Sequence, residues 1–480
     1  MTTVETEAWV WPPRYDNAYQ PPDHQQYWFP RRETMPAAER DERIVARIRQ
    51  VMEYAAKRSR FYRQKWEAVG VRPSDIRTLG DFEAVPPVTK DELRRQQAEH
   101  PPFGEYLCVP EPAVGHVHGT SGTTGRPTAF GIGRDDWNAI ANAHARVMWA
   151  MGVRPFDTVF IASFFSLYMG SWGALIGAER LGARVFPFGA GVAGQTLRAV
   201  NWLRQMRPTV FYGTPSYALH LAEVAQEQGL DPREFGVRIL FFSGEPGASV
   251  PVVRERIEQA YGGKVFDSGS MAEISPWMNL GESSAQAGML CWQDIVYTEV
   301  VDPGTYRRVP YGGEGTPLYT HLERTSQPMI RLLSGDLTRW EEGPSPCGRT
   351  YPVLPRGIYG RIDDMLTVRG ENIFPSAVNE VLMAMPGYGG EHCIIVSRRE
   401  AMDELTLRVE HDEALQAQGE PAVDRWRGDV ASGLRTVLGV GAKVIPLPPG
   451  SLERTEFKAR RVVDDRDLLQ AARTEASNQG

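Results

Sequence analysis

Between residues 155 and 266, short apolar runs alternate with amphipathic stretches of about ten to thirteen residues. The runs at 158–162, 184–187, 209–212, 238–242 and 264–266 are rich in Val, Ile, Phe and Tyr and predict buried strands. The stretches between them, 172–181, 196–206, 216–228 and 250–260, predict helices. Strands separated by helices need crossover connections, so the expected class is α/β: a large N-terminal domain with a mainly parallel, helix-covered sheet. Ligands of such sheets sit beyond the carboxyl ends of the strands. That places the loops at 163–171, 213–216, 243–247 and 267–273 around one candidate crevice.

The flanking regions read differently. From 37 to 59 the residues Ile44, Val45, Ile48, Val51, Met52 and Ala55 recur at helical steps. Thr89 and Glu92 form a capping-box pattern that predicts a helix start. The first forty residues, rich in Pro, Tyr, Trp and Gln, show no period and are expected to form an extended arm over the surface. Residues 286–340 are turn-rich and β-like, a β-rich subdomain. Beyond Arg361-Ile362-Asp363-Asp364 the pattern predicts a helix at 376–384, strands at 393–396 and 405–410, and a helix at 423–437. The expected organisation is therefore an arm (1–40), a large domain (41–361) and a small α+β C-terminal domain (362–480), large enough for its own core.

Composition narrows the classes. The 480 residues are 42% hydrophobic and 24% charged, ordinary for a globular protein, and the net charge of −7 disfavours a nucleic-acid partner. Residues 159–178 carry no charge and could span a bilayer by length. Their serines and glycines fit a strand, a loop and a helix start better, and no membrane association is expected; Gly173 and Gly177 have the G-x-x-x-G packing spacing. Cys108, Cys291, Cys347 and Cys393 form no C-x-x-C pair, as expected for reduced packing thiols in a cytoplasmic protein. The N-terminus shows no secretory signal.

Three stretches could carry chemistry. In His118-Gly119-Thr120-Ser121-Gly122-Thr123-Thr124-Gly125-Arg126-Pro127-Thr128, glycines permit close backbone approach, while hydroxyls, N–H groups and a guanidinium offer donors to phosphate oxygens. It is neither the G-x-x-x-x-G-K-[ST] loop nor GxGxxG, and composition alone allows a Gly/Thr-rich surface turn equally well. Gly360-Arg361-Ile362-Asp363-Asp364-Met365-Leu366-Thr367-Val368-Arg369-Gly370-Glu371-Asn372 reads by itself as a charged linker. Leu452-Glu453-Arg454-Thr455-Glu456-Phe457-Lys458-Ala459-Arg460-Arg461 reads by itself as a solvated loop.

In this order and spacing the three resemble the adenylate-forming superfamily of acyl-CoA synthetases and ligases, in particular its phenylacetate–CoA ligase branch, over about residues 51–466. Phe61-Tyr62-Arg63, the run 177–183, Thr214-Pro215-Ser216-Tyr217 and Ile373-Phe374-Pro375-Ser376 also look like that branch. The resemblance implies a large domain and a mobile small one. It also implies a reaction in which a carboxylate is joined to AMP with loss of pyrophosphate, after which a thiol displaces AMP. By the same resemblance Ser121, Gly122, Thr123, Thr124, Gly125 and Arg126 cradle the β/γ-phosphates, and Glu273 holds Mg²⁺. Ser243, Gly244, Glu245 and Pro246 line the adenine, and Asp336 binds the ribose with Arg361 nearby. Lys458 is the catalytic lysine and Asp363 the hinge.

The chain departs from the pattern in four places. Arg126 stands where lysine is usual, and 267–273 lacks the aromatic–glycine pair before Glu273 and has Ala272 in place of a hydroxyl. Phe457 replaces a glycine, and Cys291 has no neighbouring His, so no zinc is expected. The candidate acyl pocket comprises Phe164, Tyr168, Trp172, Tyr212 and His118, aromatic walls suited to a flat acid, although aromatics at strand ends fit a core as readily. The expected activity is ATP- and Mg²⁺-dependent activation of an aromatic or arylacetic acid and its transfer to coenzyme A. The alternatives are an adenylating enzyme with another acceptor and a non-catalytic nucleotide-binding relative. A small acid, ATP and CoA are the expected partners, with a homodimer as a candidate assembly.

Overall fold

The computed structural model describes residues 10–120, 128–189, 194–362, 366–368, 371–399, 402–452 and 461–464. The chain divides into two compact units, one running to Ser249 and resuming over Arg254–Ile358, the other comprising Val250–Val253 and the chain from Tyr359 onward.

In the first unit, after a one-turn helix at Pro30–Glu33, comes the long helix α1 (Ala37–Arg58), whose Ile44, Ile48, Val51, Met52 and Ala55 are buried as the periodicity predicts. An antiparallel hairpin follows, β1 (Val114–Gly119) and β2 (Ala129–Gly133), and then α2 (Arg134–Met151). The alternation begins with β3 (Thr158–Ile161), α3 (Met169–Leu181), β4 (Arg184–Phe186), α4 (Thr196–Met206), β5 (Val210–Gly213) and α5 (Pro215–Glu227). It continues with β6 (Ile239–Phe242), α6 (Pro251–Tyr261) and β7 (Lys264–Gly269). Strands β3, β5 and β6 are buried along their whole length, which is why they read as continuous apolar runs rather than as alternations.

β3 to β7 pair in parallel in the order β4-β3-β5-β6-β7. The short strands β8 (Leu280–Gly281) and β9 (Met289–Cys291) extend the β7 edge in antiparallel fashion. Then β10 (Val296–Val301), β11 (Glu314–His321), β12 (Leu332–Leu333) and β13 (Asp336–Arg339) form the β-rich part, with β10, β12 and β13 each antiparallel to β11. β14 (Val353–Leu354) returns to pair with β9.

The uncharged stretch at 159–178 is β3, a loop and the first turns of α3. Its G-x-x-x-G spacing serves the packing of α3 on α2: a Cβ on Gly177 would stand 2.7 Å from His144 Cβ, and one on Gly173 would collide with the same imidazole. Among the described residues no helix is long and apolar enough to cross a membrane.

The N-terminal stretch differs from a surface arm. Trp28 and Phe29 are 0% and 1% exposed and belong to the main core. Next to them Arg32 pairs with Asp294 (2.8 Å) and Glu323 (2.9 Å), Arg146 with Asp294 (3.0 Å) and Arg349 with Glu33 (2.8 Å). Apart from the one-turn helix Pro30–Glu33 the described part of this stretch holds no helix or strand, and four helical residues are too few to leave a period. Buried charges have to be paired, and these are.

In the second unit β15 (Gly360–Arg361) precedes the hairpin β16 (Leu366–Val368) and β17 (Glu371–Ile373) and helix α7 (Pro375–Met383). The long antiparallel pair β18 (Tyr388–Arg399) and β19 (Met402–His411) is flanked by helix α8 (Glu420–Leu438). β20 (Ala442–Leu447) runs parallel to β19, and β21 (Val462–Asp464) parallel to β18. Ile394, Val396, Leu405, Leu407, Trp426 and Leu434 lie in a core of this unit's own. β18 exceeds the expected 393–396 because its outer residues are polar, and only its apolar middle carries the pattern.

Candidate active site

The order of the parallel strands creates the crevice. The chain steps outward from β3 to β4, then crosses to the other side of β3 to lay down β5, β6 and β7. The loops after β3 and β5 therefore leave in opposite directions and open a gap between them, the place where doubly wound sheets take their ligands.

Three hydroxyls meet at this gap. Tyr212 is the next-to-last residue of β5, Ser243 directly follows β6, and Tyr168 ends the loop after β3. Ser243 Oγ stands 2.6 Å from the Tyr212 hydroxyl and 3.2 Å from that of Tyr168. Burial pushes both phenols above their ordinary range, so both keep their protons. Tyr212 packs on Phe241 with ring centres 4.8 Å apart and on Trp277 at 5.9 Å. Gly244 has φ +97°, and a Cβ there would come within 3.3 Å of the Tyr168 hydroxyl, so the turn after β6 calls for glycine twice over. Glu245 Oε1 accepts the Ser216 N–H (2.8 Å) at the start of α5, while Pro246 is exposed.

The loop after β3 is clamped to the hairpin. The Leu167 carbonyl accepts the N–H of Gly119 (3.1 Å) and Nδ1–H of His118 (3.3 Å). That assigns the proton of His118 to Nδ1. Nε2 is buried without a hydrogen-bond partner among the described residues, and burial pulls the imidazole down to about 4. His118 stacks on Trp137 (5.7 Å) and meets Trp172 edge-on (6.1 Å), Trp172 Nε1 donates to the Ser166 carbonyl (2.9 Å), and Phe164 lies 5.5 Å from Tyr168. Beyond β1, the N–H of Thr120 donates to the Thr128 carbonyl (3.0 Å) and the two hydroxyls lie 2.9 Å apart, closing the neck of the hairpin. Ser121, Gly122, Thr123, Thr124, Gly125 and Arg126 connect these two threonines and lie outside the described residues, as do Asp363 and Lys458.

Glu273 sits in a one-turn 3-10 segment, Ala272–Ile274, after β7. It is fully buried, and neither carboxylate oxygen has a hydrogen-bond partner among the described residues. Among the described residues its ion-pair partner is Lys90, whose Nζ stands 4.0 Å from Oε1. Lys90 opens the helix Lys90–Glu99, which is capped by Thr89 and Glu92 as the sequence predicts. The pairing with Glu273 was not anticipated. A lysine at the positive end of a helix dipole is electrostatically misplaced, and that was the available signal.

The turn around Glu273 is braced. His321 Nε2–H donates to the Ile274 carbonyl (3.3 Å) while its Nδ1 accepts the Met329 N–H (2.9 Å), and Arg324 donates to Ser275 Oγ. Ser275 (φ 64°) and Trp277 (φ 59°) adopt left-handed backbone, a strained conformation that such bracing sustains. A buried carboxylate lacking hydrogen bonds is costly alone and suits a hard divalent cation. Among the described residues no group of three His, Cys, Asp or Glu could hold a metal.

Asp336 is the buried first residue of β13, its N–H bonded to Ser334 Oγ (3.0 Å). Its charge adds to burial in raising the Tyr319 phenol. Arg361 lies in β15, within the second unit. The first unit thus brings His118, Phe164, Tyr168, Trp172, Tyr212, Ser243 and Glu245 to one end of the sheet, with Glu273 following the neighbouring strand β7.

Residues 117–320 match the AMP-binding enzyme family, and 370–466 match the AMP-binding enzyme C-terminal domain. A phenylacetate-coenzyme A ligase of Thermus thermophilus is 34% identical over 451 residues, covering 91% of this chain and 98% of that protein. The enzyme of the same name from Escherichia coli is 33% identical over 427 residues, covering 88% and 94%. The chain belongs to the phenylacetate–CoA ligase-like branch of the adenylate-forming enzymes. It is an AMP-forming ligase, and both the fold and the two-part organisation expected of this branch are present. Among solved structures, a 2-hydroxyisobutyryl-CoA ligase in complex with 2-HIB-AMP in the postadenylation state is 61% identical with a TM-score of 0.93, covering 98% of this chain and 99% of that one. The same enzyme with 2-HIB-AMP and CoA in the thioesterification state gives 62%, 0.74, 98% and 99%.

Proposed function

We propose that this ligase activates a short, branched 2-hydroxy acid as its acyl-adenylate and passes the acyl group to coenzyme A. The observation that carries the reading is the 61% identity, over nearly the full length of both chains, to a 2-hydroxyisobutyryl-CoA ligase. The site supports it. Tyr168, Ser243 and Tyr212 present hydroxyls at the crevice between β3 and β5, and the rings of Tyr212, Phe241 and Trp277 already fill one another's flanks. A small polar acid suits such a lining better than a second large ring does.

In this reading Ser121, Gly122, Thr123, Thr124, Gly125 and Arg126 offer N–H groups, hydroxyls and a cation to the phosphates. Ser243 to Pro246 border the adenine, and Asp336 accepts from the ribose hydroxyls with Arg361 beside it. Lys458 brings its ammonium to the carboxylate and α-phosphate, where charge develops in the first step. Asp363 is the hinge for the second step. Glu273 would hold Mg²⁺, which supplies neutralisation of the phosphate charge when bound. ATP and CoA are co-substrates, and the cytoplasm is the compartment the reading assigns.

A second reading, an arylacetic acid as substrate, is favoured by the curated relatives, which are named phenylacetate-coenzyme A ligases, and by the ring lining of Phe164 and Trp172. One experiment separates the two: acid-dependent pyrophosphate release with 2-hydroxyisobutyrate, isobutyrate, phenylacetate and benzoate, each with and without CoA. The first reading expects kcat/KM for 2-hydroxyisobutyrate to exceed that for phenylacetate by at least about 100-fold. The reverse order would replace it with the second.

A further inference from the structure

We propose that Trp277 is a specificity-determining residue of the acyl site: its indole spans the gap between β3 and β5 and leaves room there for a short acyl chain only. The inference rests on the short hydroxy-acid reading above and deepens it.

The starting observation is a misfit between residue and backbone. Trp277 has φ 59°, left-handed backbone in which so bulky a side chain is an outlier. The turn is held in that shape from several sides. Trp277 N–H donates to the Gly269 carbonyl (2.8 Å), the Pro276 carbonyl stands 3.0 Å from His144 Nε2, and Arg324 donates to Ser275 Oγ. Strain of this kind persists only where the surroundings enforce it, and it gathers at functional sites.

What the strained backbone delivers is the position of the indole. Trp277 is fully buried, and its ring system meets His144 at 4.1 Å, Phe241 at 5.4 Å and Tyr212 at 5.9 Å. Its Nε1–H donates to the carbonyl of Gly170 (3.2 Å), in the first turn of α3, and also bonds the Tyr212 hydroxyl. Gly170 belongs to the β3 side of the gap and lies against the Tyr168 ring, with which a Cβ there would collide. Tyr212 and Phe241 are the next-to-last residues of β5 and β6. One side chain therefore ties the β3 side of the gap to the ends of the strands on its other side. A phenyl ring entering this gap has to displace an indole that is hydrogen-bonded at its one polar atom and packed on three rings. An acid that ends at the methyl groups on its second carbon makes no such demand. A tryptophan that served the core alone would weaken the reaction of every acid alike when removed, whereas a barrier sorts acids by size.

The test measures kcat/KM for 2-hydroxyisobutyrate and for phenylacetate by pyrophosphate release in the full-length enzyme and in Trp277→Gly, a change that left-handed backbone accepts without strain. Removing the indole is expected to raise the ratio of phenylacetate to 2-hydroxyisobutyrate at least about 100-fold, with phenylacetate itself gaining. A folded Trp277→Gly enzyme with an unchanged ratio, both acids having lost alike, overturns the proposal while leaving the hydroxy-acid reading standing. If Trp277→Gly does not fold, Trp277→Phe, which keeps a ring in the core and shortens it, decides by the same ratio, with a rise of about tenfold expected. An unmodified enzyme that already prefers phenylacetate overturns the hydroxy-acid reading, and the inference with it.

Discussion

At the scale of single residues, Glu273 is the most demanding group in the first unit. Its carboxylate is fully buried, without hydrogen bonds among the described residues, and faces Lys90 at 4.0 Å. Removing the lysine leaves the charge uncompensated. Because Lys90 is itself a quarter exposed and 4.0 Å away, the loss falls below that of a tight buried pair. Lys90→Met should cost about 1–2 kcal/mol of stability in the absence of nucleotide, read from denaturant unfolding. Glu273→Gln should behave in the opposite way: the fold gains or holds its stability, while acid-dependent ATP–pyrophosphate exchange falls by about 100-fold or more. An enzyme carrying Glu273→Gln that exchanges at the unmodified rate would remove Glu273 from the phosphate site. Of this pair the sequence revealed only the acid, through its motif. Lys90 was legible as a helix start, but its partner lies far along the chain and no local pattern connects the two.

Among elements, the contact of α2 with α3 shows what a short motif can and cannot say. The spacing of Gly173 and Gly177 predicted a packing face, and the structure identifies the occupant as His144. The ring of His144 is fully buried, with Nδ1 2.9 Å from the Ile140 carbonyl and Nε2 3.0 Å from that of Pro276. Gly177→Ala should therefore cost about 1–3 kcal/mol, since the helices cannot separate without disturbing these contacts. Gly428→Ala in α8, where a Cβ would meet nothing within 4 Å, should instead stabilise by up to about 1 kcal/mol. Thermal unfolding of the two variants checks both signs. The strands and helices of the parallel sheet were legible because fully buried strands form continuous apolar runs. The segment around Trp28 and Phe29 was not, because irregular chain carries no period however deeply it is buried. The hydroxyl cluster was half legible: Tyr168 and Tyr212 were candidates for the pocket, but the partnership with Ser243 depends on strand order, which periodicity does not encode.

For the whole molecule, buried titratable groups set the response to acid. In the first unit His118 and His144 are pulled from the usual 6.5 to about 4 by burial, and His321 lies well below its usual value for the same reason. Each contributes stability that is complete above about pH 6.5 and is lost as pH falls toward about 4, because the unfolded chain binds the proton first. Asp267 acts in the opposite sense. Burial raises it from 3.8 to about 7, so its contribution is complete below about pH 3.8 and lost as pH rises through about 7. Glu282 and Glu299, also raised by burial, act in the same sense as Asp267 and oppose the histidines. Between about pH 6.5 and 4 acidification should favour the thermal midpoint of His144→Asn relative to that of the unmodified chain, because the variant has no proton to take up there on unfolding; identical slopes would contradict a neutral, buried His144.

The site itself rests on strand order: the gap between β3 and β5 is where the acid must lie if the enzyme adenylates it there. The most direct measurement is a crystal structure of the full chain with a non-hydrolysable sulfamoyl-adenosine analogue of the 2-hydroxyisobutyryl adenylate. The acyl group should stand beyond the carboxyl ends of β3 and β5, beside Tyr168 and Tyr212, with the adenine against the turn after β6. An acyl group bound away from that gap, with Tyr168 and Ser243 untouched by ligand, would contradict the account.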